Sequence, residues 1–570
     1  MFTVDDFIKK RFPQITEKPV VFKAVTGVLR YLLHEKEFRE FEASYPHLDG
    51  LDFVESVLDY FNFSYSISHR DRERIPAQGR VVIVSNHPIG SLDGLALIRL
   101  VSEIRGDVKI VANEMLMTLK PLHSVMLPVN NMNGKTPKQN FQAINEHLEN
   151  EGAVIIFPAG EVSRMSFSGV KDGPWRSGFL AMASMAKAPV VPLFVDARNS
   201  IAFYLASMVY KPLATVLLVK EMMKQARKTV TVRVGNPIPF SNYDKLPTDK
   251  KETSKLFRKH LYRIAANKTP IFETELAIAH PENPTTLYES LNKFPLLGET
   301  PDGKLIYLCS ELNDSPILRE IGRLREISFR AVGEGSGLKR DTDKYDRYYF
   351  HLVLWDKEAF EIVGAYRFCS TKKVIETYGK EGLYTHTLFD FQSEMDEYLD
   401  EALELGRSFV QPKYWGKRSL DYLWFGIGAF IKQNPHFRYL FGPVSMSDQF
   451  PKPAKDLMIY FYKLYFSSKK CAAQSKNPYS LEAETLEALK GNFVGNDYKA
   501  DFAQLKSLLA NMGVSIPTLY KQYSELCEPG GVRFLDFGTD PDFQGCVDGL
   551  VLVDIHQLKE KKKKRYLTDK

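Results

Sequence analysis

The chain has 570 residues, 44% of them hydrophobic and 26% charged, with a formal net charge of +6 at pH 7. This is the composition of a folded globular protein with room for roughly two to four domains, and it excludes a disordered or fibrous chain. One basic run, Lys559-Glu560-Lys561-Lys562-Lys563-Lys564-Arg565, stands out. It reads as a solvated, disordered tail able to meet anionic lipid or an acidic protein. No recognition helix, zinc finger or aromatic ribonucleoprotein motif accompanies it, so a nucleic-acid partner is not expected.

Five cysteines, Cys309, Cys369, Cys471, Cys527 and Cys546, are scattered without a Cys-x-x-Cys pair or a zinc-type histidine spacing. They read as reduced cytosolic thiols, and no metal is expected. The segment Met1-Phe2-Thr3-Val4-Asp5-Asp6-Phe7 lacks the basic start and apolar core of a signal peptide. A membrane span needs about 18 uninterrupted apolar residues, and Lys211 breaks the best stretch, 201–219. A soluble or peripheral protein follows.

The first strong element in chain order is the buried-strand run Val81-Val82-Ile83-Val84, followed by Ser85-Asn86-His87-Pro88-Ile89-Gly90-Ser91-Leu92-Asp93-Gly94. A histidine and a carboxylate thus arrive together at a strand end. Such a pair suits a base that takes a hydroxyl proton near neutral pH, the acid fixing the imidazole tautomer. A second apolar strand, 153–156, leads into Phe157-Pro158-Ala159-Gly160-Glu161-Val162-Ser163-Arg164. After a helical stretch near 178–187 comes a third strand, Pro189-Val190-Val191-Pro192-Leu193-Phe194-Val195. In an open α/β sheet ligands bind outside the carboxyl ends of strands, so these ends are expected to converge on one site. No Gly-x-Ser-x-Gly elbow surrounds Ser85 or Ser91, which argues against a hydrolase triad. The apolar stretch 201–210 reads as a buried core helix, the alternative being a helix lying on a bilayer.

These blocks resemble the glycerolipid acyltransferase family of the lysophosphatidic-acid acyltransferase type over roughly residues 75–240. There are two departures. One more residue separates His87 from Asp93 than in the family, and the carboxylate of the second block, Glu161, follows the glycine instead of preceding it. The resemblance implies acyl transfer from a thioester to a hydroxyl, with His87 as base and Asp93 as its orienter. Backbone amides near Gly160 are expected to stabilise the oxyanion. Asn86, Gly160, Glu161 and Arg164 are expected to touch substrate, and the Glu161–Arg164 neighbourhood suggests an acceptor with a zwitterionic head group.

Polar, helical sequence from about 248 to 292 passes through His280-Pro281-Glu282-Asn283-Pro284, where continued helix is disfavoured and a domain boundary is expected. Strand-like runs follow at 305–308, 349–355 and 361–368, the last two forming an antiparallel pair through Asp356-Lys357-Glu358. A further strand at 403–410 and a long apolar helix at 420–433 complete the order.

This order is similar to the Gcn5-related N-acyltransferase (GNAT) fold. Arg325, Phe329, Asp343, Asp346, Arg367, Glu404 and Arg407 resemble the pattern of acyl-homoserine-lactone synthases and ornithine-lipid N-acyltransferases over roughly residues 295–445, with a fainter echo at 532–553. An N-acyltransferase must bind an amino acid, remove a proton from its ammonium and present the amine to a thioester. Glu404 is read as the base, acting directly or through water. Asp343 and Asp346 are read as ammonium holders, and Arg367 and Arg407 as carboxylate binders or organisers of those acids. The competing reading of the charged set is a buried ion-pair network.

The fold class expected is α/β with two domains: a glycerolipid-acyltransferase-like domain over residues 1–285, and a GNAT-like domain over 290–560 with a mixed, largely antiparallel sheet, followed by a basic tail, 559–570. Together the two resemblances imply a bifunctional aminolipid synthase of the ornithine-lipid type. Its second half N-acylates an amino acid with a 3-hydroxyacyl chain, and its first half acylates the hydroxyl of the resulting lyso-lipid. The implied donors are acyl carrier protein thioesters, with no permanently bound cofactor. The implied partners are that carrier, the amino acid, the lyso-aminolipid and the inner face of the bacterial cytoplasmic membrane. Glycine, lysine or glutamine remain alternatives to ornithine. So does a single glycerolipid acyltransferase whose C-terminal half only binds a carrier or a membrane.

Overall fold

The computed structural model describes residues 22–23, 25–27, 30, 34–90, 92–113, 116–129, 138–166, 169–209, 211–244, 246–468 and 470–567. Ser91 and the segment 1–7 lie outside these. The chain divides into two compact units between His280 and Pro281. Helix Pro284–Leu291, begun by Pro284 and capped by the Asn283 side chain, packs within the second unit.

The first unit is built on a seven-stranded sheet. Its strands are β1 (Ser64–Ile67), β2 (Val81–Ser85), β3 (Val108–Asn113), β4 (Met126–Val129), β5 (Ala153–Ile156), β6 (Val190–Asp196) and β7 (Thr229–Val234), in the order β1-β7-β6-β2-β5-β3-β4. All neighbours run parallel except β6 and β7. A parallel sheet covered on both faces needs unbroken apolar strands, and β2 and β5 are buried at every position. Alternation splits them between two cores. Val81 and Ile83 meet Leu97 and Val101 of helix α1 (Leu92–Ser102), while Val82 and Val84 meet Phe179 of α2 (Gly178–Met185).

Helix α3 (Ile201–Val209) corrects the core-helix expectation. Phe203 and Tyr204 pack inward against Val162 and Leu218, but Ile201 is 69% and Leu205 56% exposed. Among the described residues no helix is long and apolar enough to cross a membrane. Helix α4 (Lys250–Ala265), capped by Asp249 accepting from the Glu252 amide, closes the second core through Phe257 and Leu261.

The second unit holds an eight-stranded sheet. Its strands are β8 (Leu296–Glu299), β9 (Leu305–Cys309), β10 (Phe350–Asp356), β11 (Glu361–Ser370), β12 (Ala402–Val410), β13 (Tyr439–Met446), β14 (Val532–Asp540) and β15 (Cys546–Asp554), in the order β8-β9-β10-β11-β12-β13-β15-β14. Every pairing is antiparallel except β12 with β13, so the sheet is mixed and largely antiparallel. The parallel pairing ends early. It joins Ala402–Glu404 to Tyr439–Phe441, and beyond it the ladder stops after a close backbone approach of Leu405 to Gly442.

Helix α5 (Pro316–Arg330) covers one face through Ile321 and Leu324 against Val353 and Trp355, and α6 (Ser419–Gln433) covers the other through Leu423 and Ile427 against Leu352 and Leu354. The basic C-terminal run is ordered, contrary to the tail expectation. It forms helix α7 (Glu560–Tyr566), anchored because the Arg565 guanidinium donates to Asp421 (3.0 Å) and the Tyr566 hydroxyl to the same carboxylate (2.8 Å). Its lysines stay on the surface.

Candidate functional site

The ends of β6, β2 and β5 lie side by side, as the three-block reading requires, and His87 stands in the loop beyond the central one. Its Nδ1 lies 3.0 Å from Asp93 Oδ2 in the first turn of α1. Asp93 is fully buried and fixed by the amides of Ile89 (3.1 Å) and Gly94 (3.0 Å). The turn between them needs glycine: Gly90 has φ 90°, and a Cβ there would meet Val162 at 2.6 Å. The imidazole stacks on Phe157 from the end of β5, with centroids 4.0 Å apart. Its side chain is 18% exposed, and Nε2 makes no hydrogen bond among the described residues.

Burial works against the imidazolium, but the charge and hydrogen bond of Asp93, with help from Asp172, outweigh it and hold the His87 pKa above its ordinary value. Burial also opposes the Asp93 carboxylate, and His87 and the turn amides overcome that to lower its pKa. This arrangement leaves one ring nitrogen oriented, basic and reachable.

Asp172 is the residue that sequence reasoning missed. It is 2% exposed and accepts from the His87 amide (3.2 Å), the Ser163 hydroxyl (2.5 Å) and the Trp175 indole (2.9 Å). With the Ser163 amide donating to the His87 carbonyl (2.8 Å), it ties the β5 loop to the histidine backbone. No local pattern marks this acid, which lies far along the chain from His87.

The expectations for two neighbours change. Asn86 spends its amide on both backbone groups of Val195, donating at 2.9 Å and accepting at 2.8 Å, so it fastens β2 to β6 and does not face a substrate. The Gly160 amide donates to the Phe157 carbonyl at 3.0 Å inside its own turn, so it is not available as an oxyanion donor. Glu161 and Arg164 pair with each other at 2.9 Å near the surface.

In the second unit the charged set converges. Arg325 and Arg367, both essentially buried, donate to the same Asp346 oxygen at 2.8 and 2.9 Å, and Arg367 also reaches Asp343 at 2.5 Å. Asp343 and Asp346 cap each other's backbone in the turn Lys344–Arg347. Burial opposes the Asp346 charge, but the two arginines hold its pKa far below the carboxylate range. Arg407 joins from β12 with φ 49°, its Nε 3.4 Å from Asp341 and its Nη1 donating to the Tyr384 hydroxyl at 3.1 Å. Its guanidinium lies 4.7 Å from the Tyr384 ring centre and 4.1 Å from that of Phe543. Phe329 of α5 meets Phe543 edge-on.

Glu404 does not fit the role of base. It is 1% exposed, and its oxygens accept from the Tyr349 hydroxyl, the Thr385 hydroxyl and the Thr385 amide (2.5 Å), with the Cys369 thiol at 3.7 Å. A carboxylate so enclosed clamps the Tyr384–Thr387 turn to β12 and has little left for an amine. Among the described residues no group of three or more His, Cys, Asp or Glu side chains is placed to hold a metal.

Comparison with known proteins agrees with this division. Residues 15–268 match the family described as Acyltransferase, and residues 324–425 match the acetyltransferase (GNAT) domain. A glycine N(alpha)-acyltransferase of Bacteroides thetaiotaomicron is 33% identical over 46% of this chain and 80% of its own length. A lyso-glycine lipid O-acyltransferase of the same organism is 31% identical over 44% of this chain and 92% of its own length. The chain belongs to the family of aminolipid acyltransferases. An L-ornithine N(alpha)-acyltransferase of Brucella abortus, 30% identical over 19% of this chain and 43% of its own length, extends the likeness. The aminolipid acyltransferase described here joins both kinds of domain in one chain.

Proposed function

We propose that this acyltransferase builds an amino-acid lipid in two steps, N-acylating an amino acid in the second unit and O-acylating the hydroxyl of that product in the first. The observation that carries the reading is that one chain matches relatives named for each of two consecutive steps, an N-acyl and a lyso-lipid O-acyl transfer. The geometry supports the O-step. His87 Nε2 takes the hydroxyl proton, the oxygen attacks a thioester carbonyl, and Asp93 steadies the imidazolium. Past the close approach of Leu405 to Gly442, where β12 and β13 no longer pair, their facing edges are the proposed seat of the amide-bearing arm of a thioester donor. Acyl carrier protein is the proposed bearer of that arm, and a bilayer surface supplies the lyso-lipid to the first unit.

The amino acid is glycine in this reading, because the relatives matched over most of their length are glycine enzymes. Ornithine is the second reading, favoured by the shorter match. Expression of the full chain in a bacterium lacking aminolipids, fed labelled glycine or ornithine, with mass spectrometry of extracted lipid, tests both. A diacylated lipid carrying one label supports the two steps and identifies the amino acid. Absence of any labelled lipid from soluble, folded protein overturns the reading.

A further inference from the structure

Acylation of an amine needs a group that receives the acceptor's ammonium and then its proton, and Glu404 is committed elsewhere. Asp548 on β15 lies opposite Ser445 of β13 and Gly538 of β14. Its neighbours Val547 and Val551 belong to the core under α6, whereas Leu550 and Leu552, of its own parity, share a cluster with Tyr345, Tyr349 and Tyr384. Alternation along the strand therefore points Asp548 toward the aromatic side, where Arg407 rests between Tyr384 and Phe543.

Asp548 is 6% exposed, its carboxylate oxygens still reach solvent, and among the described residues nothing hydrogen-bonds or ion-pairs with them. Its acidic neighbours are provided for: Glu334 accepts from the Ser445 hydroxyl at 2.9 Å, and Asp540 from the Asp542 amide at 2.9 Å. Arg407 meets Asp341 at 3.4 Å, yet its Nε lacks a hydrogen-bond partner. A nearly buried carboxyl without a protein partner among the described residues, reached from solvent, is placed to receive a cationic ligand. Arg407, with Asp341 at 3.4 Å and Asp343 at 3.6 Å but no hydrogen bond on its Nε among the described residues, supplies the complementary end. Together they match a zwitterion, ammonium toward Asp548 and carboxylate toward Arg407.

We propose that Asp548 receives the ammonium of the amino-acid acceptor and takes one of its protons, freeing the amine to attack the acyl thioester. The inference rests on the two-step reading above. In the reaction the nitrogen–carbon bond forms, the carbon–sulfur bond breaks, and the departing thiolate takes the second proton from nitrogen. The proton on Asp548 then passes to solvent. Burial, reinforced by Asp540 and Glu334 and opposed by Arg407, raises the Asp548 pKa well above the usual carboxylate value. An arriving ammonium favours the ionised form again, so the base is generated together with the ligand that needs it.

The test compares full-length wild type with Asp548→Asn and Asp548→Glu. Acylation of glycine and of ornithine by a 3-hydroxyacyl thioester, O-acylation of the lyso-lipid and thermal melting are each measured. Asp548→Asn is expected to lose at least about 100-fold in kcat for amine acylation while keeping O-acylation, and to melt no lower than wild type, since the amide replaces a carboxyl that burial already holds toward its neutral form and that has no protein partner to lose among the described residues. Asp548→Glu is expected to recover part of the rate. Amine acylation by Asp548→Asn within about twofold of wild type overturns the proposal. So does a loss of stability in Asp548→Asn, which would mark the residue as structural. A wild-type protein that acylates no amino acid overturns the two-step reading itself.

Discussion

The His87 site and the Glu404 cluster contain similar residue types in opposite conditions. His87 has one nitrogen fastened to a buried acid and the other unbonded among the described residues, in a side chain 18% exposed. Glu404 is enclosed by a phenol, a threonine hydroxyl and an amide, and Arg325, Arg367, Asp343 and Asp346 bond one another, leaving Arg325 Nε, Arg367 Nε and Nη2 and Asp343 Oδ2 without a hydrogen bond among the described residues. A chemically suggestive residue is available for reaction only when its hydrogen-bonding capacity is not already used by the fold. Spacing in a sequence reveals the residue type but not that balance.

Five substitutions probe this contrast. The largest effect is expected from His87→Ala: O-acylation falls by about 100- to 10,000-fold while N-acylation continues, so lyso-lipid accumulates in extracted lipid. Equal loss of both steps would erase the distinction between the sites. Asp346→Asn leaves Arg325 and Arg367 facing a neutral group in the core and is expected to cost about 3–5 kcal/mol in denaturant unfolding of the second unit. Glu404→Gln turns an acceptor into a donor opposite donors, and a loss of about 1–3 kcal/mol is expected, with kcat per folded molecule largely kept. A folded Glu404→Gln protein with no N-acylation would restore Glu404 as base.

Asp93→Asn sharpens the pH behaviour of the first site. O-acylation requires neutral imidazole, so activity rises with pH through the raised His87 pKa. Removing Asp93 lowers that pKa, moving the acid limb to lower pH while kcat falls as the imidazole loses its orienter. The stability contributed by the raised His87 pKa is complete below the unfolded value near ~6.5 and disappears as pH rises through the folded one. Asp93 acts on the other side, losing its contribution as pH falls through its lowered pKa. The smallest effect is expected for Glu161→Gln, a half-exposed pair with Arg164, at about 0–1 kcal/mol in a thermal melt.

Much of the scaffold was legible in the sequence because it follows from local pattern. The unbroken apolar runs at β2, β5 and β6 require strands covered on both faces, and the strand end carrying His87 and Asp93 is a local turn whose two side chains meet whether or not Ser91 adds a residue between them. Asp172 was invisible because its partners are brought to it by the sheet, and Asp548 because its significance is the lack of a partner. The ordering of α7 was missed for a related reason. A lysine run reads as solvated, and the anchor is Asp421 on a helix far back in the chain. Asn86 sat beside His87 in the motif, yet its amide was claimed by Val195 on a neighbouring strand.

The placement of β1 bears on how the first unit folds. It pairs in parallel with β7 at one edge, Ser64 reaching Thr229 across a sequence separation of 165 residues. Closing so long a loop is entropically costly and brings its reward only after the intervening strands are in place, so this edge is expected to assemble late and to open early. In a hydrogen-exchange experiment the amides of Ser64–Ile67 should lose protection before those of Val81–Ser85, giving the first unit a soft margin beside a slow-opening centre.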